Sequence, residues 1–286
     1  MIKVLELFAG IGACSKALEN LGIEHEIVDA VEIDKYAIQA FNAIHGTNFE
    51  PQDICKWDKD IECDLIMHGS PCQDFSIAGK QAGGDKDSGT RSSLMYETLR
   101  IVEKLKPKYV IWENVKNLLS QKHVHNWNAY AERMEELGYK NYCRVLNAKN
   151  YGVPQNRERV FTVSILGDGD FKFPEPIPLE KRLKDVLEEN VDEKYYLSDE
   201  QVASFVASTK KAEAKGNGFK FEPFEREREE SRTRLPHEQA QGRQTILSRK
   251  GVIDDLYKSR LPRLYNNYVP TLRATKAGEL KVWKLK

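Results

Sequence analysis

A thiol and a carboxylate carry the first chemical signal in this chain. Cys72 lies in the segment Gly69-Ser70-Pro71-Cys72-Gln73-Asp74-Phe75-Ser76, directly after the apolar run Leu65-Ile66-Met67. Such a run reads as a buried strand, and Pro71 stiffens the turn that leaves it. Further on, Tyr109-Val110-Ile111-Trp112 reads as a second strand that ends in Glu113-Asn114-Val115. Open α/β sheets place their chemistry at the carboxyl ends of strands. A cysteine and a glutamate at two neighbouring ends predict a nucleophile with an acid partner.

A second signal is the turn Leu7-Phe8-Ala9-Gly10-Ile11-Gly12, which closes the first strand and opens the first helix. Its glycines let a ligand approach the backbone, and a helix start offers unpaired N–H groups. The pattern is close to a dinucleotide fingerprint, with Ser15 where the third glycine would stand. Glu32 ends the second strand, 20 residues after Gly12, where an acid can accept from ribose hydroxyls. Asp53-Ile54 falls where a third strand would end. Asp53 there is either a partner for an adenine amino group or a loop cap.

These residues need a scaffold, and residues 2 to 166 supply one by alternating strand and helix. Strands are predicted over Ile2 to Leu7, Glu26 to Val31, Leu65 to Met67 and Tyr109 to Trp112. Tyr139 to Leu146 and Val160 to Leu166 read as an antiparallel pair at the sheet edge. Helices are predicted over Ala13 to Leu21, Lys35 to Ile44, Ser92 to Leu105 and Val124 to Leu137. Gly22 and Gly138 stand as C-terminal caps, and Pro107 stops the third helix. The class is α/β: a doubly wound, mostly parallel sheet with helices on both faces.

The pattern changes at Gly167-Asp168-Gly169-Asp170 and the prolines at 174, 176 and 178, which read as a linker. The chain thus divides into residues 1–166 and a smaller, loop-rich region, 167–286. The charged tract Glu222 to Arg234 reads as a solvated surface or as a contact to DNA phosphates.

Bulk composition excludes some classes. Lys+Arg and Asp+Glu both number 44 in 286 residues, and a zero sum neither favours nor opposes nucleic acid. No secretory leader and no apolar run of about 18 residues is present, which predicts a cytoplasmic chain with no membrane partner. The five cysteines are scattered and form no CxxC pair, so neither a disulfide framework nor a zinc site is expected. Cys14, Cys55, Cys63 and Cys143 read as small packing residues. His123 and His125 read as solvated side chains with no third metal ligand, and Trp112 as core.

Four motifs occur in order: Phe8-x-Gly10-x-Gly12, Pro71-Cys72-Gln73, Glu113-Asn114-Val115 and Gln155-x-Arg157-x-Arg159. On these the chain resembles the DNA (cytosine-5)-methyltransferases of bacterial and phage restriction-modification systems. The resemblance covers residues 2 to 166 strongly. It continues more weakly through Asp192-Glu193-Lys194-Tyr195-Tyr196-Leu197-Ser198 and Pro270-Thr271-Leu272-Arg273, which look like pieces of a target-recognition region.

The resemblance implies a Rossmann-like fold that uses S-adenosylmethionine, releases S-adenosylhomocysteine, needs no metal and acts on double-stranded DNA. It implies that Cys72 adds to carbon 6 of a flipped-out cytosine and that Glu113 serves ring nitrogen 3. Arg159 would hold the carbonyl oxygen on carbon 2, and Asn114 would orient the Glu113 segment. A free cysteine titrates near about 8.5, so a cation should help to ionise it. Arg157 and Arg159, read as two apart on one strand face, are the candidates. Phe8, Ala9, Gly10, Gly12, Glu32, Ile33, Asp53, Ile54, Pro71 and Leu94 are the implied cofactor contacts. Gln73, Ser76 and Arg91 are the implied DNA contacts, on a loop that closes behind the base.

Intact relatives continue into Pro-x-Glu-x-x-Arg-Leu and a late Asn-x-Val segment, and neither motif occurs here. The resemblance therefore implies a truncated or split enzyme, poorly active until a second polypeptide supplies them. Other readings are a non-catalytic module on the same scaffold, a nicotinamide oxidoreductase and, within the family, an RNA substrate.

Overall fold

The computed structural model describes residues 1–75, 83–86, 88–182 and 185, with helical positions 200, 203, 204, 207, 211 and 214 and the backbone of three strands beyond residue 244. Two compact units divide these residues. The first holds the described parts of 1–146 and 158–175; the second holds 147–157 and the described positions from 176 onward.

The first unit is built on a six-stranded sheet in the order β2-β1-β3-β4-β6-β5. Its strands are β1 (Ile2–Leu7), β2 (His25–Val31), β3 (Leu65–His68), β4 (Tyr109–Val115), β5 (Tyr139–Asn147) and β6 (Glu158–Leu166). The first four run parallel, and β6 lies antiparallel to β4. Alternation along the strands feeds both faces of the sheet. Val4, Leu65 and Met67 pack with Leu18 of α1 (Ala13–Asn20). Their neighbours Leu5, Ile66 and Val110 pack with Leu99, Ile101 and Val102 of α3 (Met95–Leu105) and with Tyr130 and Met134 of α4 (Val124–Glu136). Phe41 and Ile38 of α2 (Lys35–His45) cover Ala30.

Local chemistry sets the helix ends. The Asp34 carboxylate caps α2 by accepting from Tyr36 N at 2.8 Å and Ala37 N at 3.2 Å, and Gly46 (φ 66°) terminates it. Lys106 adopts a left-handed φ of 47° to end α3 just before Pro107.

Two expectations change. Residues 46–64 contain no strand, so Asp53 does not end one; the segment is a loop whose Gln52 N–H donates to Glu32 O at 2.8 Å. β4 runs on to Val115, which places Glu113 and Asn114 inside the strand, opposite Phe161 and Val160 of β6. Among the cysteines, Cys14, Cys63 and Cys143 are half-buried packing residues, and burial pushes the Cys63 thiol up to about 12. Cys55 is exposed, on a turn whose Asp53 Oδ1 accepts the Cys55 N–H at 3.0 Å.

In the second unit Tyr151 bridges Ile177, and Ile177 N donates to Asn150 O at 2.8 Å. Strands β7 (Thr245–Ser248), β8 (Gly251–Asp254) and β9 (Arg263–Tyr265) form an antiparallel sheet, which the sequence reading did not foresee. The linker-like Gly167 to Asp170 stays with the first unit. The charged tract and both recognition-like segments lie outside the described residues. Among the described residues, no helix is long and apolar enough to cross a membrane, and no cluster of three or more His, Cys, Asp or Glu side chains could hold a metal.

Candidate active site

Parallel pairing of β3 and β4 sets His68 against Trp112, so the next residues out, Gly69 and Glu113, meet at the carboxyl edge. The Glu113 carboxyl leans over Gly69, where an added Cβ would lie 3.8 Å from Oε2. Ser70, next in the turn, is laced to β4. Its Oγ accepts from Trp112 Nε1 at 2.9 Å, and its carbonyl accepts from Asn114 Nδ2 at 3.3 Å. Asn114 therefore ties the turn that carries Cys72 to the strand that carries Glu113. Cys72 is half-buried, and its carbonyl accepts the Phe75 N–H at 3.1 Å.

Antiparallel pairing with β6 brings in a cation. Arg159 Nε lies 2.9 Å from Glu113 Oε1, and Arg159 Nη1 donates to Glu158 O at 2.8 Å. The two arginines do not share a strand: Arg157 precedes β6 and belongs to the second unit. Its N–H donates to Asn147 Oδ1 at 3.1 Å and its carbonyl accepts Ala148 N, a side-chain-capped turn that takes it out of the sheet ladder.

His68 lies buried beneath this corner, its ring stacked on Trp112 at 5.6 Å and its Nε2 3.3 Å from Tyr130 Oη. Burial pushes its imidazole down to about 3, so it is neutral at physiological pH.

The loop after Cys72 has a clamped stem. Asp74 N donates to Ser92 Oγ and Ser92 N to Asp74 Oδ2, both at 3.1 Å. Gly83 N donates to Asp74 O at 3.1 Å, and Asn117 Nδ2 holds Phe75 O at 2.6 Å. His125 Nε2 pairs with Asp85 at 2.9 Å. Gln73 and Arg91 are exposed on this stem, Pro71 is half-buried at its start, and Leu94 packs on the main core. Ser76 lies outside the described residues. His123, expected in solvent, is 1% exposed against the Phe75 ring because the stem covers it.

The glycine turn lies at the same edge. Phe8, Gly10 and Gly12 all have positive φ (55°, 57° and 83°), and Ala9 N donates to Val31 O at 3.1 Å. Glu32 joins two elements by accepting Gly10 N at 3.0 Å and Asp34 N at 2.9 Å. A Cβ on Gly12 would meet His45 Nε2 at 2.1 Å, whereas a Cβ on Gly10 would face open space. Ile33 is 65% exposed beside Glu32, Asp53 is half-buried, and Ile54 is buried in the core. Ser15 needs no glycine in its place: its N–H and hydroxyl both donate to the buried Glu6 carboxylate. Burial raises the Glu6 carboxyl above its ordinary value, against the pull of these bonds.

The family described as C-5 cytosine-specific DNA methylase matches residues 2–276, nearly the whole chain. This chain belongs to that family. A type II methyltransferase of Lactococcus lactis subsp. cremoris, M2.ScrFI, is 38% identical over 259 residues, covering 71% of this chain and 72% of the relative. The orphan methyltransferase M.Rho11sI of Bacillus phage rho11s is 34% identical over 249 residues, 75% of this chain but 49% of that protein. This cytosine methylase thus spans most of the first relative and about half of the second. Its fold is that of the Dnmt2 methyltransferase of S. pombe, with a TM-score of 0.56 at 24% identity over 73% of this chain and 66% of that one.

Sequence reading missed the buried acids that brace this methylase, Glu6 in β1 and Asp29 in β2. The signal was weak: each acid sits among the apolar residues at the buried end of its strand, but each strand carries a second charge, Lys3 in β1 and Glu26 in β2. It also missed the Asp74–Ser92 clamp, whose partners carry no pattern that links them.

Proposed function

We propose that this chain transfers a methyl group to carbon 5 of a cytosine turned out of duplex DNA, by way of a transient bond between Cys72 Sγ and carbon 6. The observation that carries the reading is the meeting of the Cys72 turn with the Glu113–Arg159 pair at the adjoining ends of β3 and β4. Carbon 5 of cytosine is a poor nucleophile. Addition of the Cys72 thiolate to carbon 6 breaks the conjugation of the ring and gives carbon 5 enamine character. Glu113 hydrogen-bonds ring nitrogen 3 and takes up the electron shift by proton transfer. Arg159, held to Glu113 through Nε, presents the rest of its guanidinium to the oxygen on carbon 2. Water removes the carbon-5 hydrogen, and Cys72 leaves with its electron pair.

S-adenosylmethionine, when bound, supplies the electrophilic methyl group. The glycine turn fits it: open space over Gly10, Glu32 at the ribose position, the exposed side chain of Ile33 and the neighbouring Asp53 make a shelf of the right chemistry. Extrusion of the base costs a few kcal/mol. The loop that follows Cys72 is proposed to close behind it. Gln73, Ser76, Arg91 and Arg157 are proposed phosphate or base contacts, and the region after 167 is proposed to read the target site.

The test is incubation with labelled S-adenosylmethionine and duplex DNA carrying 5-fluorocytosine. Fluorine cannot leave as a proton does, so a covalent adduct should accumulate. Its absence from the wild-type chain supplied with a fragment that carries the two missing motifs, or its persistence in Cys72→Ala, defeats the reading.

A further inference from the structure

Asp29 lies in β2 and is 2% exposed. A carboxylate taken out of water must be hydrogen-bonded or paired, and this one has four donors. Oδ1 accepts from Ala30 N at 2.9 Å and from Gln52 Nε2 at 2.7 Å. Oδ2 accepts from Trp57 Nε1 and from Lys59 Nζ, both at 2.8 Å. Burial alone would raise the Asp29 carboxyl; the bonds from Lys59, Trp57 and Gln52 outweigh it and hold the group below its ordinary value.

Three of the four donors come from one short segment, 52–59, so a single buried charge gathers that segment against β2. Gln52 adds two more ties, Nε2 to Ala30 O at 3.0 Å and N to Glu32 O at 2.8 Å. From the opposite side Arg100 of α3 holds Ile54 O at 3.0 Å and Trp57 O at 2.9 Å, and Lys104 holds Asp58. Between these anchors stand Asp53 and Ile54, next to the Glu32 end of β2.

We propose that Asp29 is a positioning residue for cofactor binding: through Gln52, Trp57 and Lys59 it fixes segment 52–59 so that Asp53 and Ile54 stand ready for the adenosine half of the cofactor. A loop ordered before the ligand arrives costs no ordering entropy on binding. The inference rests on the cofactor reading given above.

The test titrates the full-length chain and its Asp29→Asn and Gln52→Ala variants with S-adenosylmethionine, S-adenosylhomocysteine and 5′-methylthioadenosine by calorimetry. Affinity for duplex DNA is measured alongside. Loss of a charge-assisted bond should raise Kd for all three adenosine ligands about tenfold. DNA affinity should stay within about twofold, a split that general destabilisation does not produce. Should Asp29→Asn fail to fold, Gln52→Ala, half-buried and uncharged, carries the test. Variants that bind all three ligands like the wild type overturn the inference alone, even with a lowered Tm. A wild-type chain that binds none of them overturns the cofactor reading and this inference with it.

Discussion

Two long loops border the carboxyl edge of the same sheet, and they are held in different ways. The loop between α2 and β3 is tied down over residues 52–59: Asp29 draws it to β2, and Arg100 and Lys104 hold its carbonyls. The loop after β3 is fixed at its stem by the Asp74–Ser92 pair, the Asn117 contact and the exposed Asp85–His125 pair. Polar interactions are strong where water is excluded and weak where it is not. The first loop therefore suits a ligand that must find its site ready-made. The second carries the proposed DNA contacts Gln73 and Arg91, both exposed.

The comparison is broken most severely at Glu113, beside the turn from which the second loop starts. Glu113→Gln keeps the shape and removes proton transfer, so kcat should fall by about a hundredfold or more while cofactor affinity is kept. Single-turnover methylation beside cofactor titration measures the split; an equal loss in both would place Glu113 on the cofactor side.

The next largest effect is one of stability against pH. His68 is pushed down to about 3 in the fold, below the ordinary value of 6.5. Its unfolded form takes up a proton first as the pH falls. The stability of the folded state is therefore full above about 6.5 and is lost downward from there at up to about 1.4 kcal/mol per pH unit, until about 3. His68→Leu should flatten that part of the curve in denaturant melts between pH 6.5 and 4. An unchanged slope contradicts the burial argument.

A smaller effect is expected at the stem. Asp74→Ala, Ser92→Ala and the double variant should show a coupling of about 1 kcal/mol in the rate of base capture, because two reciprocal bonds are removed together. The cofactor Kd should not move, which sharpens the contrast with Gln52→Ala. Smallest is Asp85→Asn: an exposed pair contributes under about 1 kcal/mol, and the variant should keep its Tm within about two degrees.

Much of this was legible before any coordinates. The helix and strand ends follow from local signals: Gly22 and Gly138, both with positive φ, Pro107 and the alternating apolar runs. Their positions after two apolar runs placed Cys72 and Glu113 at neighbouring strand ends, and pairing of His68 with Trp112 brings Gly69 and Glu113 together at that edge. The reading failed where a residue answers to partners far along the chain. Asp53 had to be judged by strand counting, yet the segment around it is shaped by Asp29, which its donors reach from 23 to 30 residues away. Arg157 has the spacing of a strand residue, but Asn147 captures its N–H and turns it aside. His123 carries no apolar pattern, and the loop stem buries it all the same.

By itself the sequence determined the alternation of elements and the glycine turn, because periodicity, capping and backbone freedom act over a few residues, and it offered Cys72 and Glu113 as candidates for the chemistry. Tertiary structure alone decided which charges meet. Arg159 reaches Glu113 only because β6 folds back beside β4, and Asp29 gathers its donors only because a loop returns to β2. The cause is desolvation: a buried charge takes its partner from whatever the fold brings within about 3 Å, and no local pattern records that choice.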